Sequence, residues 1–173
     1  MKENFIDLLL NSPDDLIENM KRIESLIRCS KEYKAYLAYL HEVHEMNSCS
    51  YFTDKDFQEV TLEYHHFPFT LYDLVIIVGS KYLVDHVGED IFAFDIAREV
   101  IKVHLEDQVA GIMLSKTVHE LYHSGQYEIP TDSESLNLGD YKTFFNTYKD
   151  FLTEKDKEKF VKYGAKFDSD MEE

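Results

Sequence analysis

The chain has 173 residues, of which 44% are hydrophobic and only three are proline, which predicts one globular domain with a real core and excludes a disordered chain. Its 34 acidic and 18 basic residues give a net charge of −16, which argues against tight independent binding of nucleic acid, because phosphate neutralisation supplies most of that affinity. The sequence has no apolar run of membrane-spanning length and no signal-peptide layout, and its two cysteines, Cys29 and Cys49, are isolated. These features predict a reduced cytoplasmic protein without membrane contact.

Residues 4–46 have helical periodicity. Ser12-Pro13-Asp14-Asp15 predicts an N-cap, a first-turn proline and acids that the helix dipole stabilises. A second helix is predicted to begin near Ser30. His41 and His44 lie three apart on this helix, and the spacing alone favours solvent-facing side chains over metal ligands.

The middle of the chain mixes strand and helix patterns. Residues 47–57 are turn-rich, residues 58–64 alternate as a strand does, and Pro68 ends that strand. Thr70 predicts a capped helix start, although the apolar run Leu74–Val78 also fits a buried strand. A further helix is predicted from Phe92 to about Asp107.

The last third begins with a short apolar run. Residues 112–114 are predicted to pair with the earlier strand and to lead directly into a short helix. Residues 127–129 fit one more short strand, and residues 132–139 fit a loop. Aromatic side chains at helical spacing then predict helices over 140–152 and from Thr153 onward.

Four histidines carry the strongest chemical signal. His119 and His123 are four apart, which places both imidazoles on one face of the short helix. His65 and His66 end the first strand, where neighbouring side chains point to opposite faces. One of these two could therefore join the helix pair as a third metal ligand, and the other could act as a base.

These residues resemble the ββα-metal HNH endonucleases, and most of all the DNase domains of colicins. That family has a Glu-x-His-His strand followed by a helix with His-x-x-x-His, here Glu63-Tyr-His65-His66 and His119-Glu-Leu-Tyr-His123. The resemblance implies His65, His119 and His123 as ligands of one divalent metal ion (Zn, Mg, Mn or Ni). It also implies His66 as the base that activates water and Glu63 as an assisting acid near the substrate.

The sequence departs from the family at two places. Ala110 stands where the family has an asparagine that orients the base, and 52 residues separate His66 from His119. The two helices at about 70–107 therefore form an insertion in an HNH-like module over residues 51–130, with His86 and His104 interpreted as structural or exposed. Helical segments at 1–50 and 131–173 flank the module, so the predicted fold is α+β and mostly helical.

The predicted function is metal-dependent hydrolysis of DNA phosphodiester bonds by a phage-encoded variant, in the cytoplasm of an infected host. Lys116, at the start of the short helix, could touch a phosphate, although a solvated lysine explains it equally well. The acidic surface predicts weak DNA binding alone and a protein partner. The alternatives are a non-catalytic acidic module, such as a DNA mimic with a structural metal, and histidines that are merely packed or exposed.

Overall fold

The computed structural model describes residues 8–51, 60–129, 136–137 and 139–160, and for 136–137 only the backbone. Helices dominate, and one small antiparallel sheet lies among them, so the predicted α+β, mostly helical class is confirmed. The elements are α1 (Pro13–Cys29), α2 (Lys31–Glu42), β1 (Leu62–His66), α3 (Leu71–Asp85), α4 (Ala93–Leu105), β2 (Gly111–Ser115), α5 (Lys116–His123), β3 (Leu136–Asn137), α6 (Tyr141–Tyr148), a 3-10 turn (Lys149–Phe151) and a helix over 154–160.

Side-chain caps set the starts of the helices where the sequence predicts them. The hydroxyl of Ser12 accepts a hydrogen bond from the backbone of α1, and that of Ser30 does the same for α2. Thr70 and Asp73 form a capping box at the start of α3, each side chain accepting from the other residue's N–H. Each cap satisfies backbone donors that the first helical turn leaves free. The alternative of a buried strand over Leu74–Val78 is wrong, because this run lies inside α3.

The sheet has the strand order β1-β2-β3. Strand β1 pairs antiparallel with β2, with His66 opposite Gly111, so the predicted pairing of residues 112–114 is confirmed. Residues 127–129 form no strand, and the third strand is Leu136–Asn137, within the stretch predicted as a loop. Strand β2 passes directly into α5, whose first turn is capped by Ser115. This junction positions α5 beside the end of β1.

The main core joins the N-terminal helices to the two helices predicted as an insertion. Helices α1, α3 and α4 pack on one another, and Gly79 of α3 sits against Leu16 and Ile96, where an added Cβ would lie 2.9 Å from the leucine side chain. A second, smaller cluster lies under the other face of the sheet and includes Ile112, Val118 and Ile129. The sheet therefore separates a helical core from a smaller aromatic and aliphatic layer.

Within the described ranges, no helix combines the length and the hydropathy that a transmembrane span requires. Parts of the predicted flanking segments, at 1–7 and 161–173, and most of the turn-rich stretch, at 52–59, lie outside the described residues.

Candidate metal centre

Three of the predicted histidines come together where α5 packs on the end of β1. His65, His119 and His123 each offer one ring nitrogen, and these three nitrogens all lie within 4.8 Å of one another. The Nε2 atoms of His119 and His123 are 2.9 Å apart. Two nitrogens that each lie about 2 Å from a shared zinc ion are at most about 4 Å apart, so the three nitrogens lie near the separations that one ion requires.

Glu63 fixes the state of His119. Its Oε2 accepts a hydrogen bond from Nδ1–H of His119 at 2.5 Å, which places the ring proton on Nδ1. Nε2 then carries a lone pair, and this is the atom that faces His123. A carboxylate behind a metal-binding imidazole is the usual second layer of such sites, because it orients the ring and raises its basicity.

The histidines of the cluster differ in exposure. His65 is 4% exposed, His119 is half-buried and His123 is exposed. The pKa of His65 is lowered to about 3, mainly by burial and to a smaller extent by the neighbouring His119 and His123. The pKa of His123 is lowered mainly by burial and then by His119, against an opposing effect of Glu63. Lowered pKa values keep the imidazoles of His65 and His123 neutral near pH 7, which is the state that binds metal.

The cluster opens onto a cleft of about 230 Å³ between α1, the end of β1 and the start of α3. Its described lining consists of Glu24, Arg28, Tyr64, His65, His66, Thr70, Leu71, Tyr72, His119 and His123. A centre with three protein ligands beside an open cleft keeps a position free for water or substrate, as catalytic zinc sites do.

His66 lines the same cleft but lies outside the three-histidine cluster, on the opposite face of β1. Its Nε2 is 2.9 Å from Nε2 of His104, and Nδ1–H of His104 donates to the Val100 carbonyl at 2.7 Å. The second bond leaves Nε2 of His104 as an acceptor, so His66 donates through Nε2 and keeps a lone pair on Nδ1. Burial lowers the pKa of both rings, that of His104 to about 4.

The remaining predicted residues lie further from the cleft. Glu63 is not among the residues that line it, and its carboxylate is bound to His119. Lys116 is exposed and is also absent from the lining, so its phosphate-binding role stays a prediction. Ala110 is buried, and its carbonyl accepts from the backbone of Phe67 at 3.0 Å.

Sequence reasoning missed three residues that the structure brings to this region: His104 behind His66, and Arg28 and Tyr72 on the rim of the cleft. His104 lies on the apolar face of α4, a position where a histidine is most often a packed core residue. Arg28 and Tyr72 belong to helices that are distant in sequence from the histidines, and no local spacing connects them.

The bond between Glu63 and His119 supports a prediction on metal affinity. Replacing Glu63 with glutamine should weaken zinc binding about 10- to 100-fold, because a neutral amide orients the ring less strongly and lowers its basicity. Calorimetric titration of the protein with zinc measures this. Glu120 to glutamine, an equal change of charge at an exposed position of α5, is the control. An unchanged affinity in the Glu63 variant would show that the carboxylate plays no part in metal binding.

Comparison with known proteins identifies one family. The profile described as Bacteriophage G278-like virion protein matches residues 1–172, almost the whole chain. No curated protein and no solved structure matches. The match supports the predicted phage origin and provides no evidence for an HNH nuclease family. The chain belongs to the bacteriophage G278-like virion protein family.

Proposed function

We propose that this phage virion protein holds one divalent metal ion with His65, His119 and His123 and hydrolyses phosphodiester bonds in nucleic acid. The observation that carries the proposal is the meeting of three imidazoles at the edge of an open cleft, with Glu63 behind one of them. The three side chains come from β1 and α5, which are far apart in sequence, and one of them, His65, is buried.

The donor set favours particular metals. Imidazole nitrogens suit zinc and nickel, whereas magnesium prefers carboxylates, carbonyls and water. Of the four ions considered from the sequence, zinc and nickel therefore fit the three histidines best. When bound, such an ion polarises a phosphate oxygen and stabilises charge on the leaving oxygen.

Among the histidines that line the cleft, His66 is the one outside the proposed metal centre, so its ring can serve as a base. Its Nε2–H is committed to His104, so Nδ1 is the free basic atom. In the proposed step a water oxygen attacks phosphorus, the water proton passes to Nδ1, and the bond from phosphorus to the leaving oxygen breaks. The leaving oxygen takes its proton from solvent. Burial lowers the pKa of His66, so the ring is neutral before the step and is a weak base when it takes the proton.

The charge of the chain limits how the substrate arrives. A net charge of −16 repels long nucleic acid, so tight unaided binding of DNA is not expected. As a member of a virion protein family, the chain has neighbouring particle components that could bind its acidic surface and deliver the substrate. We place the protein in the particle after assembly, and the predicted synthesis in the host cytoplasm stays a prediction.

Metal-dependent nicking tests the proposal. Supercoiled plasmid, single-stranded DNA and RNA are incubated with the protein in zinc, nickel, manganese or magnesium, and in chelator. Cutting is expected with a metal that suits imidazole and is expected to stop in chelator. His123→Ala should remove the activity because it removes a ligand, while His44→Ala, which changes an exposed histidine outside the cluster, should keep it.

A non-catalytic role is the second candidate, and two observations favour it: the net charge of −16 and the membership of a virion protein family. In this interpretation the metal stabilises the packing of α5 on β1, and the acidic surface binds another virion component. Stoichiometric metal binding without cleavage of any of these nucleic acids would establish it over the enzyme.

A further inference from the structure

Besides the histidines, the lining of the cleft carries a cation, Arg28, and an exposed aromatic ring, Tyr72. We propose that Arg28 binds a phosphate and Tyr72 stacks on an adjacent base, so that the cleft receives a single-stranded nucleic acid. This inference rests on the proposed metal centre, and it adds the class of substrate and the residues that recognise it.

Arg28 is positioned for this role by its partner. Nε and Nη2 of its guanidinium donate to Oε1 of Glu24, one turn earlier on α1, at 3.2 and 2.8 Å. The side chain is nevertheless 52% exposed. Within the described part of the chain no partner of Nη1 is found. This side of the guanidinium can therefore donate to a phosphate, because the planar guanidinium matches the geometry of phosphate oxygens.

The local charge of the cleft differs from that of the whole protein. Among its described lining residues, Glu24 contributes −1 and Arg28 contributes +1, and these two charges cancel. Glu63 adds one negative charge behind His119, and a bound divalent ion would still leave the region with a net positive charge. The cleft should therefore attract an anion when the metal is bound and not otherwise, although the surface as a whole is acidic.

Tyr72 explains why the ligand should be single-stranded. Its side chain is 41% exposed at the second position of α3, on the rim of the cleft. An aromatic ring can stack on a base only when that base is unpaired, and such stacking is insensitive to sequence. A single strand also carries fewer charges per unit length than a duplex and is repelled less by an acidic surface.

The size of the cleft agrees with a polymer. About 230 Å³ is smaller than the roughly 300 Å³ at which pockets for whole small molecules begin. The space can hold one phosphate with part of its nucleotide, while the rest of the strand continues over the open rim.

Binding of a labelled oligonucleotide tests the proposal. A short phosphorothioate oligothymidylate, which resists cleavage, its oligouridylate counterpart and a duplex of equal length are titrated by fluorescence anisotropy with zinc-loaded protein. The single strands should bind at least about tenfold more tightly than the duplex, and binding should require zinc. The DNA and RNA forms distinguish which sugar the cleft accepts.

Variants on the rim locate the site. Arg28→Gln should weaken binding about tenfold, the equivalent of one charge-assisted hydrogen bond. Tyr72→Ala should weaken it by about the same factor, and Tyr72→Phe should not, because the ring is retained. The matched controls are Arg22→Gln, an equal charge change on α1, and Tyr39→Ala, a tyrosine also 41% exposed but outside the cleft. Both should bind as the wild type does.

Zinc calorimetry on the same samples separates the two proposals. If the wild type takes up no zinc, the metal centre itself is wrong. If zinc binds normally but Arg28→Gln and Tyr72→Ala keep full affinity for the oligonucleotide, or the duplex binds as tightly as the single strand, the substrate assignment is overturned while the metal centre stands. Both variants are at exposed side chains, and an unchanged zinc affinity shows that they are folded.

Discussion

Replacing His119 with alanine is expected to abolish the thermal stabilisation that zinc gives to the wild type. A ligand that binds only the folded state adds RT ln(1 + [L]/Kd) to the free energy of unfolding, about 2.7 kcal/mol at a hundredfold excess over Kd. His119 is the centre of the cluster, because its Nε2 faces His123 and its Nδ1 is held by Glu63. Without it only two imidazoles remain, and the melting temperature should be the same with zinc and with chelator.

Two further variants make this result specific. His123→Ala removes an exposed ligand and should also lose the zinc response, with little effect on stability in chelator. His44→Ala changes an exposed histidine just after the end of α2, outside the cluster, and should keep the whole response. A rise in melting temperature that persists in the His119 and His123 variants would mean that zinc binds elsewhere, and the three-histidine centre would be wrong.

The fold could be predicted where local signals and tertiary packing agree. Ser12, Ser30 and Thr70 each mark a helix start in sequence, and each caps that helix in the structure. The third strand could not be predicted, because the two residues Leu136–Asn137 carry no alternation and pair only where β2 provides a free edge. Residues 127–129 show the opposite case, since Ile129 is buried by packing in the second cluster and not by a strand partner.

The candidate site was predictable in part for a similar reason. The spacing of His119 and His123 follows from helical geometry, and the strand ending in His65 pairs with the strand that leads into their helix. The cluster is therefore encoded by two local patterns and one pairing. The contacts of His66 with His104 and of the cleft with Arg28 depend on how α1 and α4 pack, and such packing leaves no periodic trace in the sequence.

The buried pair of His66 and His104 leads to the second large prediction, a loss of stability in acid. Three tyrosine rings surround the pair, those of Tyr33, Tyr36 and Tyr64. A proton on either imidazole would place a charge among these rings. The largest cause of the lowered pKa of His104, about 4, is accordingly burial, and the bond to the Val100 carbonyl opposes it only in part.

The sign of the pH dependence follows from this shift. Above pH 6.5 the ring of His104 is neutral in both the folded and the unfolded chain, and the stability is at its full value. Between pH 6.5 and about 4 the unfolded chain takes up a proton that the folded chain cannot, so stability falls by about 1 kcal/mol per pH unit. His66 shifts in the same direction and makes the slope steeper.

Urea unfolding in chelator, at about pH 7 and about pH 5, measures this slope, and chelator removes any contribution of metal. Each step towards acid should lower the free energy of unfolding without changing the secondary structure of the folded state. In the NMR spectrum the carbon-bound ring protons of His104 should keep their neutral shift down to about pH 5, with the exposed His44 as an internal reference. This measurement needs no variant and therefore does not depend on whether a substitution folds. A His104 ring that takes up its proton near pH 6.5 would show that the pair is solvated. A protonated His104 has no lone pair with which to accept the hydrogen bond from Nε2–H of His66. The acceptor role assigned to Nδ1 of His66 would then lose its basis.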